Sequence, residues 1–272
     1  MRHLQLKYNL LHIFFWMTYC AIYGYIAVLL SYKGMSNTLI GVTSGLNCAL
    51  TIISTPFVSR AAGMTKGLTL KKLISINFIL TLAVWMILVL VPMPQIMLMV
   101  FFVLAGNLIA VNVPLLTTIC MNYLTEGENI NFGLARGLGS ISYAASAAVF
   151  GVLIERISPV ILGWSFAAGA VGILLTLISL PEITHKEIGR KNKSLSMFAF
   201  IKKYKIYMLL LLGTTLQFAA ATSLSTYLIN IVVDLGGTTS FYGIAVFFMA
   251  ASELPFMALV PWLKERVSTR SE

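Results

Sequence analysis

Apolar blocks of about 20 residues, each followed by a polar or charged break, recur from one end of this chain to the other and leave it few ways to fold. A hydrocarbon layer about 30 Å thick needs roughly that many helical residues to cross it. Eight such blocks are present, at about 10–31, 38–58, 73–91, 95–121, 133–154, 160–180, 206–230 and 241–263. Of the 272 residues 58% are hydrophobic and only 10% are charged, against about 45–50% and about 25% in soluble domains. Unpaired backbone groups find no partner in lipid, so each block is predicted to be helical. The expected fold class is an all-α polytopic membrane protein with eight transmembrane helices.

Arg2 and Lys7 precede the first block as they would in a signal peptide. That block is too long for one and has no small-residue cleavage site, so it reads as an uncleaved first helix. Cys20, Cys48 and Cys120 all fall inside blocks with no disulfide or metal-ligand spacing, and read as packing residues. With both termini cytoplasmic, 17 of the 19 Lys and Arg residues lie on or near the cytoplasmic side, and only Lys33 and Arg156 lie outside. This is the asymmetry of the positive-inside rule, and one helix more or fewer would scramble it. The expected location is the plasma membrane, where short basic loops face an anionic leaflet and the lipid bilayer is itself a partner. The net charge of +10 then needs no nucleic acid to explain it.

Loop lengths divide the chain. The first six helices are joined by short connections, whereas the segment at 181–205 is long, polar and basic. The expected organisation is a six-helix domain over 1–180, a cytoplasmic basic linker over 181–205, and two helices of an incomplete second domain over 206–272. Three helices followed by three would suit the inverted repeats of secondary transporters.

The segment NFGLARGLGSISYAASAAVFGVLIER at 131–156 resembles the fourth loop and fifth helix of major facilitator superfamily transporters. The resemblance is to the branch with lactose permease-like oligosaccharide/proton symporters and the 3-phenylpropionate permease-like group. Arg136 and Tyr143 stand where that branch carries its helix-five arginine and aromatic residue, and ASELPF matches its helix-eight acid at Glu253. YGYIAVLLSYKGMSNTLIGV is similar to the branch's first helix and following loop. The resemblance implies proton-coupled symport of a small organic solute by alternating access, with protons and that solute as partners and no cofactor. It also implies a twelve-helix architecture, of which this chain would be a C-terminally truncated version. Two departures stand out: VSRAAGMTKGLTLKK lacks the acid of the superfamily's loop after helix two, and neither LLTTICMNYL nor LLGTTLQFAAATSLSTYLIN carries the acids of lactose permease-like helices four and seven.

The residues support candidate sites independently. Glu253 lies near the middle of the eighth block, at a depth where a charge costs about 2.5–3.5 kcal/mol. Pro255, two residues on, leaves the carbonyl of Ala251 without its helical donor. Such an acid suits loading and release of a proton; the alternative is a neutral acid joining helices. Arg136 sits about one turn inside the fifth block, with Ser140 and Tyr143 on nearly the same face. That stripe suits an anionic or polyhydroxylated solute, and the alternative is an arginine reaching the membrane interface. His12, Trp16, Tyr19 and Tyr23 share one face of the first helix, either lining a cavity or packing against a neighbour. Asn112 and Gln217 are further candidates for substrate contact, although intramembrane amides such as these and Asn107 more often bridge helices. Gly41 and Gly45 form a small-xxx-small pair suited to close helix contact.

No zinc-protease, nucleophile-elbow or phosphate-loop motif accompanies the three histidines, so an enzyme is not expected. The function expected is that of a secondary transporter. The alternative reading is a truncated non-transporting relative or fragment, or a subunit that needs a partner.

Overall fold

The computed structural model describes residues 3–64, 69–182, 197–249 and 251–252. Glu253 and Pro255 lie outside the described residues. Helices account for nearly all of what is described: α1 (Leu4–Tyr19), a π-helical turn (Cys20–Gly24), α2 (Ile26–Tyr32), α3 (Asn37–Met64), α4 (Leu70–Leu90), α5 (Gln95–Ala110), α6 (Asn112–Thr125), α7 (Phe132–Arg156), α8 (Ile161–Ser179), α9 (Met197–Lys203) and α10 (Lys205–Asp234). A shorter apolar helix, α11 (Thr239–Met249), follows. No strand occurs among the described residues.

Six segments are long and apolar enough to cross a membrane, and the bent pair Leu4–Gly24 plus Ile26–Tyr32 makes a seventh. The eighth expected span coincides with α11 and continues into residues outside the described part. The first and fourth spans are not the continuous helices their hydropathy implies. The first bends by 48° between the π turn and α2, at Tyr25, whose φ of −130° and ψ of 27° break the helix. The fourth breaks at Val111, three residues before Pro114, which cannot donate to the carbonyl of Ala110. The helix restarts with Pro114 in the first turn of α6, where a missing donor is tolerated.

Starts of helices are fixed by side chains. Thr69 Oγ1 accepts from the Lys72 amide at 3.3 Å, Asn131 Oδ1 from the Leu134 amide at 2.9 Å, and Thr238 Oγ1 from the Phe241 amide at 3.2 Å. Each satisfies an N–H that the helix cannot pair internally.

In the bundle α1 lies against α7 and α8, α4 against α5 and α8, and α3 against α5. The centre is aromatic. Trp85 packs at 6.3 Å from both Phe102 and Phe166, and Phe78 joins Phe15 at 6.1 Å to Phe166 at 6.4 Å, so that rings from α1, α4, α5 and α8 meet. Since lipid is as apolar as these side chains, contact quality rather than water exclusion holds the helices together. Amides add specific links. Asn77 Nδ2 donates to Asn112 Oδ1 at 3.1 Å, tying α4 to α6, while Asn107 Nδ2 donates to Ser54 Oγ at 2.7 Å and Thr51 Oγ1 at 3.2 Å, tying α5 to α3.

Two packing expectations need correction. Cys20 and Cys120 are buried, but Cys48 is exposed on α3. Gly41 makes room for the Tyr227 hydroxyl of α10, whereas a side chain at Gly45 would meet open space, so the pair does not act as one contact motif.

α10 touches the bundle over part of its length only. Ile229 and Val232 are buried near its C-terminal end, where Tyr227 Oη donates to the Asn37 carbonyl at 3.4 Å. Leu209, Leu212, Leu216 and Phe218 are exposed toward the lysine-rich end.

Replacing Asn77 with Ala removes the donor to buried Asn112. It is expected to lower unfolding free energy by about 0.6–1.7 kcal/mol, the range of interhelical polar contacts in membranes. Thermal denaturation in detergent measures this, and Asn77→Leu combined with Asn112→Leu should recover part of the loss.

Candidate functional site

Three ring-bearing residues of α1 and its π turn form a continuous row of mutually tilted rings. Trp16 and Tyr19 lie 5.2 Å apart between ring centres, and Tyr19 and Tyr23 4.6 Å apart. The spacing of three and four residues puts them on one face, as their sequence positions imply. The Arg136 guanidinium of α7 caps the Trp16 end, 4.1 Å from the ring centre, and its Nη1 donates to Ser140 Oγ at 2.7 Å. A cation over an indole is stabilised by about 2 kcal/mol or more once desolvated, which offsets part of the cost of holding the charge within a helix bundle. At the other end Tyr23 Oη lies 2.7 Å from Asn47 Oδ1 and 2.8 Å from the Gly106 carbonyl, and Asn47 Nδ2 donates to the Val103 carbonyl at 3.0 Å. The track is therefore anchored to α7 at one end and to α3 and α5 at the other.

His12, one turn before Trp16, is buried edge-on between Tyr8 at 4.8 Å and Phe132 at 6.0 Å. Neither of its ring nitrogens has a hydrogen-bond partner, nor does Trp16 Nε1. Gly139 leaves the space that the Trp16 ring occupies, so the indole lies directly on the α7 backbone.

Farther along, α11 is sewn to α7 and to the bend in the first span. Tyr242 Oη donates to the Gly24 carbonyl at 2.6 Å, and Tyr25 Oη donates to the Ala147 carbonyl. A Cβ at Gly151 would stand 2.7 Å from the Thr239 carbonyl and 3.4 Å from Gly243 Cα, so only glycine permits this approach. Glu155 completes the seam from the last turn of α7. Its Oε2 accepts from both the backbone N–H of Ser240 at 3.1 Å and the Ser240 hydroxyl at 2.5 Å. A carboxylate at a helix's first turn meets the positive end of the helix dipole, so Glu155 caps α11 from a different span.

Tyr143 lies between track and seam. It is half-buried, its hydroxyl 3.2 Å from where a Cβ on Gly24 would stand, with Cys20, Tyr19, Tyr25 and Tyr242 around it. Of the candidates read from sequence, Arg136, Tyr143, Tyr19 and Tyr23 thus come together along α1 and α7. Asn112 does not join them: it is fully buried with its amide donating to the Leu108 carbonyl at 2.7 Å and its oxygen occupied by Asn77. Gln217 lies exposed on the part of α10 that stands away from the bundle. Glu253 lies outside the described residues. Sequence reading missed Asn47, Tyr25, Tyr242 and Glu155. Only Glu155 gave a local sign, as a charge at the end of an apolar block.

Residues 5–271 match the MFS_1-like family. Over 145 residues, 53% of this chain, the sequence is 26% identical to a maltose permease of Geobacillus stearothermophilus. The matched part covers 36% of that permease's length. No solved structure matches the chain. Apolar helices able to span a bilayer, together with a family match over almost the whole length, make this chain an integral membrane protein of the MFS_1-like family, within the major facilitator superfamily.

Proposed function

We propose that the chain acts in secondary transport, moving a small organic solute together with protons by alternating access. The observation that carries this reading is the Arg136–Trp16–Tyr19–Tyr23 track, a cation and three rings in line inside a membrane bundle. Rings offer stacking faces to a sugar or an aromatic acid, and a guanidinium offers paired donors to hydroxyls or a carboxylate. Tyr143 adds a hydroxyl beside the track. The similarity to a maltose permease favours a sugar over a nucleoside or an aromatic carboxylate.

In this reading residues 1–180 and 206–272 belong to two bodies that rock about the linker at 181–205, in a plasma membrane with both termini cytoplasmic. The seam through Glu155, Tyr242 and Gly151 then closes the external side, while the divergence of α10 leaves the cytoplasmic side open. Both features support an inward-facing arrangement. Glu253 is assigned proton binding, because its sequence position puts an acid in the middle of an apolar block, where a charge is costly to hold in lipid. Gln217 is assigned a solute contact from the second body. The amide pairing of Asn112 favours a packing role for it.

Uptake of a sugar, nucleoside and aromatic-acid panel into proteoliposomes under an inward proton gradient tests the proposal directly. Arg136→Lys keeps the charge but loses the planar fork, and is expected to raise the half-saturating solute concentration roughly tenfold or more. An unchanged value would remove Arg136 from the binding site.

Glu253→Gln is expected to abolish gradient-driven accumulation while sparing counterflow exchange. Undiminished uphill uptake in that variant would rule out its coupling role.

Glu155→Gln replaces the charge that caps α11 and is expected to open the external seam. Distances between spin labels at Arg156 and Leu235 should then lengthen. An unaltered distribution would show that the seam closes without the carboxylate.

A further inference from the structure

Where α4 begins and α8 ends, a cleft of about 460 Å³ is lined by Lys71, Lys72, Ser75, Ile76, Leu177, Ile178 and Glu182. We propose that this cleft binds the headgroup of an anionic phospholipid, with the acyl chains running down its aliphatic wall.

Three observations converge on that occupant. The first is charge. Lys71 and Lys72 stand in the first turn of α4, which has no acidic residue, so their ammonium groups add to the positive end of the helix. Lys7 lies close enough to Lys71 for the two to repel, and among the described residues Glu182 is the one acid lining the cleft. Lys71 and Lys72 line the cleft together with Glu182, and Lys7 lies beside Lys71, so among the described residues cations outnumber the carboxylate there. The second is donor capacity at fixed positions. Lys7 Nζ donates to the Ser179 carbonyl at 2.5 Å and Lys71 Nζ to the Leu180 carbonyl, which pins both stems at the end of α8. An ammonium has three donors and a single carbonyl accepts one. The Ser75 hydroxyl stands one turn deeper on α4.

The third is the wall. Ile76 is 46% and Ile178 77% exposed, both on helices long and apolar enough to cross a membrane, so the cleft is continuous with exposed aliphatic surface. A soluble anion would gain nothing from that surface. A phospholipid satisfies the basic rim and the aliphatic wall at once, and basic pockets between helices on the cytoplasmic side are a recurrent setting for such headgroups. The site does not depend on the transport reading, since the lysines and the wall are present whether or not a solute crosses.

The test is lipid retention by the full chain, read by native mass spectrometry after equilibration with mixed micelles of phosphatidylglycerol and phosphatidylcholine. The unaltered chain is expected to retain phosphatidylglycerol with a preference of roughly tenfold or more. Lys71→Gln with Lys72→Gln should bring the preference close to unity. Because Lys71 also holds the Leu180 carbonyl, Ile178→Trp serves as a second variant: it narrows the wall, keeps every charge, and should lower retention of phosphatidylglycerol severalfold. Lys33→Gln, at the opposite end, should change nothing. The proposal is overturned by equal retention of the two lipids, by a preference that survives both variants, by an equal loss in the Lys33 variant, or by displacement with millimolar inorganic phosphate, which would mark a soluble-anion site.

Discussion

Hydrocarbon supplies no hydrogen-bond partner, so wherever a helical ladder stops inside this bundle another side chain has to meet the backbone. Tyrosine supplies several contacts from side chain to backbone carbonyl. Tyr8 Oη donates to the Leu116 carbonyl at 3.0 Å, Tyr123 Oη to the Pro181 carbonyl at 2.6 Å and Tyr242 Oη to the Gly24 carbonyl at 2.6 Å. A phenol suits the task because its ring packs like any core aromatic while its hydroxyl reaches a carbonyl on the neighbouring helix. At the edge of the bundle Lys7 and Lys71 do the same for the last carbonyls of α8, where a cation also meets the negative end of the helix. At the break near Tyr25 the partner is Tyr242 on the Gly24 carbonyl, and at the break near Val111 it is the Asn112 amide on the Leu108 carbonyl.

The same constraint gives the first span its polar contacts with α7 at one end and with α3 and α5 at the other. Arg136 is held by the Trp16 face and the Ser140 hydroxyl, and Tyr23 by Asn47 and the Gly106 carbonyl. Arg136 is partly buried, and a charge withdrawn from water needs its neighbours in place, so the positions around it are constrained along with the arginine itself. His12 is the exception in this neighbourhood. Its imidazole is enclosed by Tyr8 and Phe132 with both nitrogens unpartnered, and the rings give it packing in place of hydrogen bonds.

What could be read from the chain alone follows a physical division. The long apolar helices among the described residues were legible because an apolar run of about 20 residues has one solution in lipid. The row of Trp16, Tyr19 and Tyr23 was legible because helical periodicity is local. The Asn77–Asn112 pair was not, since its partners stand 35 residues apart on different helices and nothing in either segment names the other. Glu155 is a sharper case: its charge was visible, but its partner Ser240 lies 85 residues away, and a carboxylate at the end of a span reads as solvated until that helix start is brought beside it. Asn112 shows the converse, a polar residue whose position suggested substrate and whose buried amide pairing favours packing. The bend at Tyr25 carries no proline and no cap, and CAIYG reads as an ordinary helical stretch.

That stretch has a geometric result of its own. A π turn accommodates one residue more than an α turn, and each residue of an α-helix rotates the side-chain direction by about 100°. Everything after Gly24 is therefore reoriented relative to the face that carries Trp16 and Tyr19. Before the surplus residue, the span shows its rings to Arg136; after it, Tyr25 reaches the Ala147 carbonyl and α2 packs against α10. The π turn and the break at Tyr25 thus turn the two halves of one span to different faces, both of which still meet α7.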